Sequence, residues 1–418
     1  MNYLTKSSFL AMLYILLMTI AFTRNIGNLI IDTKVQFSVS LFWILVSISK
    51  ILINNINGII PKSRHCFLFL LIFLLPHIIF HCYSIILMLF GVINWKFFNL
   101  NTTAYIPILM SISALFLFKK KAFSLTVYAI IISWLLSVFS SIYVWGPDVV
   151  KGAIIQAYFY DEAWQLGYGI NHLEFHDISL SIGYIFIYLM FRKSFSVSDK
   201  IIFAFLILIG FISLKKIVLL GILAVLFYYL FLKSFLRKIK FQFIIFSGYI
   251  IILVCIAFVF DLYITKLFYV FIDEFNINTM NRTVFYKMIT DLSEFSVFFE
   301  GLGRNTVAIL FQKELYWDQF DLSKIGAVHC DILKMYVENG FFLFLFWLWF
   351  KIIFITKIFK EKFNINASII YFLSILYTFI LYFTDNTEVY FTCNVLFILL
   401  VTHYVNYGTV QKINCGIK

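Results

Sequence analysis

Long apolar runs, many of them about 20 residues long, recur along the whole chain and are separated by short polar or charged clusters. Runs of that length without an apolar–polar alternation predict helices that cross a membrane. A closed barrel would alternate with period two, and these runs do not. The pattern predicts an all-α, polytopic integral membrane protein of about 12 transmembrane helices. They lie near 6–23, 35–53, 66–93, 103–118, 122–145, 176–191, 201–214, 217–232, 241–265, 339–358, 366–384 and 389–408. The division at 214/217 rests on Lys215 and Lys216 interrupting one long apolar stretch. Thr-Arg-Asn-Ile-Gly follows the first run, so the segment is expected to stay as an uncleaved helix.

Composition agrees with this class. The chain has 418 residues, 62% hydrophobic and 13% charged, with a mean hydropathy of +0.96. Soluble domains carry about a quarter charged residues. The charges also predict orientation. With the N-terminus inside and strict alternation, 20 of the 33 basic residues fall on inside segments, and only Asp199 and Glu361 of the 21 acidic residues do. The inside net is then +18 and the outside net −6. Basic residues retained on the cytoplasmic side are the known orienting signal. The overall +12 is therefore a mark of topology. No nucleic-acid partner is expected, because no basic–aromatic recognition module is present. The six cysteines show no paired spacing, and no structural disulfide is expected.

The whole of 1–418 is read as one membrane domain with two long outside segments, 146–175 and 266–338. The second, of about 73 residues, is too long for a plain connector, and long loops on a helical scaffold tend to carry function. Within it 281–299 reads as an amphipathic helix, with Phe285, Met288, Ile289, Leu292, Phe295 and Phe299 at helical spacing. Arg282 stands at its start. Gly301 and Gly303 in "GLGRN" allow a tight turn that presents Arg304. The loop ends in "GAVHCDILKMYVENGFF", where a helix starting near Ala327 would carry His329, Leu333, Tyr336 and Gly340 on one face. Asp331 and Glu338 are expected on roughly opposite sides of that helix and not as a carboxylate pair. In the smaller loop, Trp164, His172, Glu174 and His176 make an aromatic and polar set suited to sugar binding. His172 and His176 also share a helix face, as metal ligands can, but the zinc-protease motif needs Glu where Leu173 stands. No metal and no cofactor are expected. His77 and His81 are read as packed polar residues inside the third helix.

This layout resembles the O-antigen polymerase and ligase superfamily. Its members have one large periplasmic loop in the C-terminal half. A Gly-rich turn such as "GLGRN" is followed there by His-Asn-x-x-Leu, then an acidic residue and Gly. Here that pattern is His329, Leu333, Glu338 and Gly340, with Cys330 where Asn is frequent. "SLKKIVLL", with Ser213, Lys215 and Lys216, is similar to a second family element in which arginine is usual. The resemblance implies glycosyl transfer on the periplasmic face of the bacterial inner membrane, with both termini cytoplasmic. The donor would be a glycan on undecaprenyl diphosphate and the acceptor another lipid-linked oligosaccharide repeat unit. Arg282, Arg304, Lys215 and Lys216 become candidates to bind the diphosphate. His329 becomes the candidate base, with Asp331 or Glu338 orienting or replacing it. Besides membrane lipids, a chain-length regulator and a flippase would be natural partners. The expectation is a polymerase. A ligase that moves finished glycan to the lipopolysaccharide core remains open, as does a flippase or transporter of lipid-linked oligosaccharide.

Overall fold

The computed structural model describes residues 2–23, 25–26, 29–30, 33–56, 64–92, 104–152, 176–192, 195–213, 216–235, 241–264, 270, 274, 293, 295–307, 309, 330–383, 385 and 387–407. Helices fall where the apolar runs predict them. They are α1 (Asn2–Phe22), α2 (Thr33–Ile56), α3 (Arg64–Leu89), α4 (Tyr105–Phe118), α5 (Ala122–Trp145), α6 (His176–Met190) and α7 (Val197–Ser213). There follow α8 (Lys216–Phe235), α9 (Phe241–Ile264), α10 (Asp331–Trp349), α11 (Ile355–Lys362), α12 (Ile365–Tyr382) and α13 (Phe391–Tyr407). A five-residue π turn, Phe350–Phe354, joins α10 to α11. Two short strands, Asn25–Ile26 and Leu29–Ile30, pair between α1 and α2. Among the described residues, five helical stretches are long and apolar enough to cross a membrane: Lys34–Asn54, Phe67–Leu89, Tyr105–Trp145, Asp331–Lys362 and Ile365–Tyr382. Shorter apolar helices accompany them, such as Ile217–Leu232 and Phe391–Val405.

The chain forms two compact units: 1–71 with 103–226 and 389–413, and 72–102 with 227–388 and 414–418. In the first, small hydroxyl residues let helices approach closely and bond across the gap. The Tyr14 hydroxyl meets Thr126 Oγ1 at 2.8 Å, and Thr23 Oγ1 donates to Ser133 Oγ at 2.9 Å, tying α1 to α5. The Tyr404 hydroxyl donates to the Tyr188 carbonyl at 2.6 Å, tying α13 to α6. At the start of α7, Asp199 N–H donates to Ser196 Oγ (3.2 Å) and Ser196 N–H donates to Asp199 Oδ2 (2.9 Å). This reciprocal cap fixes where α7 begins.

The second unit contains the half of α3 that follows Leu71, part of α8, all of α9 to α12 and the segment 295–307. α9 meets α12 closely at Gly248, where an added Cβ would lie 2.6 Å from the Phe372 ring and 3.0 Å from the Tyr228 hydroxyl. α10 runs longer toward its N-terminus than the 339–358 expected, beginning at Asp331 with Cys330 as its cap residue. It is also broken: Gly340 has φ 72° and ψ 178°, outside the helical region. The expected amphipathic helix at 281–299 is corrected at its C-terminal end, where residues 295–299 form bends and turns. Phe295 and Phe299 there stack on Tyr336, at ring separations of 5.3 and 5.4 Å, so aromatic packing on α10 overrides helical continuation. Phe285, Met288, Ile289 and Leu292 lie outside the described residues.

Candidate active site

The break in α10 explains both glycine motifs. Past Gly340 the helix can no longer satisfy the carbonyls of Val337 and Glu338. The chain before Arg304 does so instead: Leu302 N–H donates to Val337 O and Gly303 N–H to Glu338 O, both at 2.8 Å. In return Phe341 N–H donates to Phe299 O at 2.9 Å. Two segments far apart in sequence thus complete each other's backbone bonding, as a broken helix at membrane depth requires. Gly301 has φ 89°, and a Cβ there would lie 2.7 Å from the Asn339 carbonyl carbon and 2.9 Å from Glu338 O. A Cβ on Gly340 would lie 2.5 Å from Phe299 O. Only glycine fits at either position.

This clasp sets Arg304 into a buried charge cluster. Its backbone N–H donates to Ser84 Oγ of α3 at 2.8 Å, and its guanidinium lies over the Phe80 ring at 5.6 Å. Nη2 donates to Glu388 Oε1 at 2.9 Å and lies 3.4 Å from His77 Nδ1. Nη1 points at Met335 Sδ, 3.4 Å away. Glu388 sits in the single 3-10 turn Thr387–Val389 between α12 and α13. Its Oε2 lies 4.0 Å from Lys334 Nζ, and its backbone N–H donates to Asp331 Oδ2 at 2.7 Å. Asp331 Oδ1 accepts no hydrogen bond among the described residues. Glu338 is fully buried beside the cations of Lys334 and Arg304, with the backbone N–H of Asn305 toward it. Lys351, on the π turn, donates to the Tyr382 hydroxyl at 3.1 Å and lies over the Trp347 ring at 5.0 Å. It is near enough to Glu388, Arg304 and Asp331 to act on the same cluster.

Burial pushes the Glu388 carboxyl up, but Arg304 foremost, then Lys334 and Lys351, outweigh it. Glu388 is held well below the usual carboxylate range and is ionised. Arginine and lysine facing several carboxylates give a site that can hold an anionic group and offer a carboxylate to a reacting hydroxyl. Among the described residues, no group of three His, Cys, Asp or Glu side chains is arranged to hold a metal ion.

Of the residues singled out from sequence, the structure brings Arg304, Asp331 and Glu338 into this cluster. Asp331 and Glu338 were expected on opposite sides of the helix, but seven residues make about two full turns, so both leave α10 on the same side, fully buried beside Lys334. Arg282, His329, Lys215, Trp164, His172 and Glu174 lie outside the described residues. Lys216 and His176 open α8 and α6, but their side chains lie outside the described residues too. Sequence reasoning missed Glu388, Lys334 and Lys351 as members, and it treated His77 as packing. The one local signal was a pair of acids, Asp385 and Glu388, in a short connector between two apolar runs.

No curated protein and no solved structure matches this chain. Residues 201–348, which include Arg304, Asp331, Lys334 and Glu338, match the family model described as O-antigen ligase. That match covers 148 of the 418 residues and marks this segment as similar to the O-antigen ligase family, and the long apolar helices are those of an integral membrane protein.

Proposed function

We propose that the protein is an O-antigen polymerase of the bacterial inner membrane. It transfers a growing glycan from undecaprenyl diphosphate to a lipid-linked repeat unit at the periplasmic face. The observation that carries this reading is the buried set of Arg304, Lys334, Asp331, Glu338 and Glu388 around a broken helix, largely inside the matched segment. The acceptor hydroxyl oxygen attacks the anomeric carbon, and the bond from that carbon to the diphosphate oxygen breaks. The leaving undecaprenyl diphosphate takes the electron pair, and fixed cations stabilise the charge that develops on it. Arg304 and Lys334 fill that role, and Arg282, Lys215 and Lys216 are proposed as further cations for the diphosphate. The hydroxyl proton passes to His329, which Asp331, two residues on, can orient through its open Oδ1. Glu338 is the alternative acceptor of that proton. Trp164, His172, Glu174 and His176 are proposed to contact the sugars.

A lipopolysaccharide gel from a strain lacking only this gene tests the reading. Core with a single repeat and no ladder is the expected result. Bare core with long chains left on the carrier lipid would instead mean a ligase, the reading that the matched family's description favours. Bare core without chains exposed to the periplasm would mean a transporter.

A further inference from the structure

We propose that Glu388 is an exchangeable counter-ion: the donor's diphosphate displaces its carboxylate from Arg304 and Lys334, and the carboxylate returns to help the spent carrier leave. This rests on the glycosyl-transfer reading of the site. A buried ion pair is costly to desolvate and is by itself weak evidence of a stabilising role. Here the pair leaves room for an exchange. Glu388 Oε1 accepts from Arg304 Nη2 at 2.9 Å, and Nη1 lies 3.4 Å from the Met335 sulfur, a weak acceptor. Its hold on Lys334 is long, at 4.0 Å. A diphosphate carries more charge and enough oxygens to engage both cations, and arginine favours a two-point grip on phosphate. The backbone of Glu388 is meanwhile pinned, because its N–H donates to Asp331 Oδ2 at 2.7 Å. The side chain can therefore move off the cations without the connector leaving α10. Once transfer is complete, the same carboxylate competes for Arg304 against the bound product.

The alternative is that Glu388 simply holds Arg304 in place, and the two ideas predict opposite signs. The experiment uses the full chain in lipid nanodiscs and measures binding of undecaprenyl diphosphate. Under the counter-ion proposal, Glu388→Gln binds it about tenfold or more tightly, the low end of what a close charge pair contributes at a binding site. Turnover with excess donor falls, while the first turnover is retained. Glu388→Asp keeps the charge on a shorter arm and binds the probe more tightly than wild type by a smaller factor. That variant keeps the test open if Glu388→Gln fails to fold. Equal or weaker binding by the folded Glu388 variants would overturn the proposal, provided that Arg304→Gln weakens the wild-type affinity. If Arg304→Gln leaves that affinity unchanged, the diphosphate does not come to this cluster, and the functional reading of the site falls with it.

Discussion

Arg304 is the side chain on which the site turns. Replacing it with Ala leaves Glu388 buried without its closest cation, a loss of about 3–5 kcal/mol when one member of a buried pair is removed. Arg304→Lys keeps the charge but cannot reach Glu388, Met335 and His77 from one planar group. Both variants should lose long-chain polymer on a lipopolysaccharide gel, and Arg304→Lys should do so at near-normal protein level. A normal ladder in either would remove Arg304 from the site. Glu388 makes a prediction about pH. Its folded-state value is depressed, so its stabilisation is present above the unfolded carboxylate value of about 4.3 and is lost only as pH falls through the much lower folded value. Between pH 5 and 8 Glu388 does not titrate. The acid limb of an activity–pH profile there should belong to another group and persist in Glu388→Gln, and its disappearance in that variant would refute the assignment. Arg304, Asp331 and Glu338 were legible in the sequence because they lie within one motif-bearing stretch. Glu388 was not, since it meets Arg304 across 84 residues and a single sequence carries no record of such a contact.

At the scale of elements, the device that builds the site is the clasp between 299–303 and the break in α10. The sequence showed glycines at both places, but it could not show that Gly301 and Gly340 face each other. Gly301→Ala and Gly340→Ala should each cost more than the roughly 1–2 kcal/mol of left-handed strain, because a Cβ would also strike backbone. Gly146→Ala is the control. It shares the positive φ, at 84°, but a Cβ there would meet nothing within 4 Å. Thermal midpoints of the purified variants should rank wild type, then Gly146→Ala, then the two clasp variants. Equal losses would mean that the close approach does not matter. Tyr336 is the aromatic counterpart of the clasp. It stacks on Phe295 and Phe299, and meets Phe344 edge-on at 5.7 Å. Truncating it to Ala should cost about 3–5 kcal/mol, as for other large buried aromatics, and should lower the thermal midpoint accordingly. The packing of Phe295 and Phe299 on Tyr336 is also why helical spacing at 281–299 misled at its C-terminal end: side chains spaced for a helix face can equally be gathered by a turn.

For the molecule as a whole, the helices were readable because lipid forces backbone bonding inward and demands long apolar runs. Where each run ended was less so; α10 reaches eight residues further toward its N-terminus than its apolar run does, because its first turns are buried in the charge cluster rather than in lipid. Orientation rested on charge alone, and the cluster now bears on it. The C-terminal half of α3, the segment 301–307, the start of α10 and the α12–α13 connector meet at Arg304, and all four belong to outer ends if the N-terminus is inside. Lys351 is one of the 20 basic residues that alternation assigns to inside segments. It bonds to Tyr382 within the helical run instead, and the excess of inside basic residues persists without it. Topology reporters can decide the matter. Fusions of green fluorescent protein after Lys121 and Lys362 should fluoresce, and alkaline phosphatase fused after Asp148 and Glu300 should be active. The opposite pattern would put Arg304, Glu388 and the open end of α10 on the cytoplasmic side, away from periplasmic repeat units. No polymerase reading would survive that result, however well the cluster is built. The expected pattern would place the cations at the outer surface, where a donor anchored in the bilayer by its polyprenyl chain presents its diphosphate.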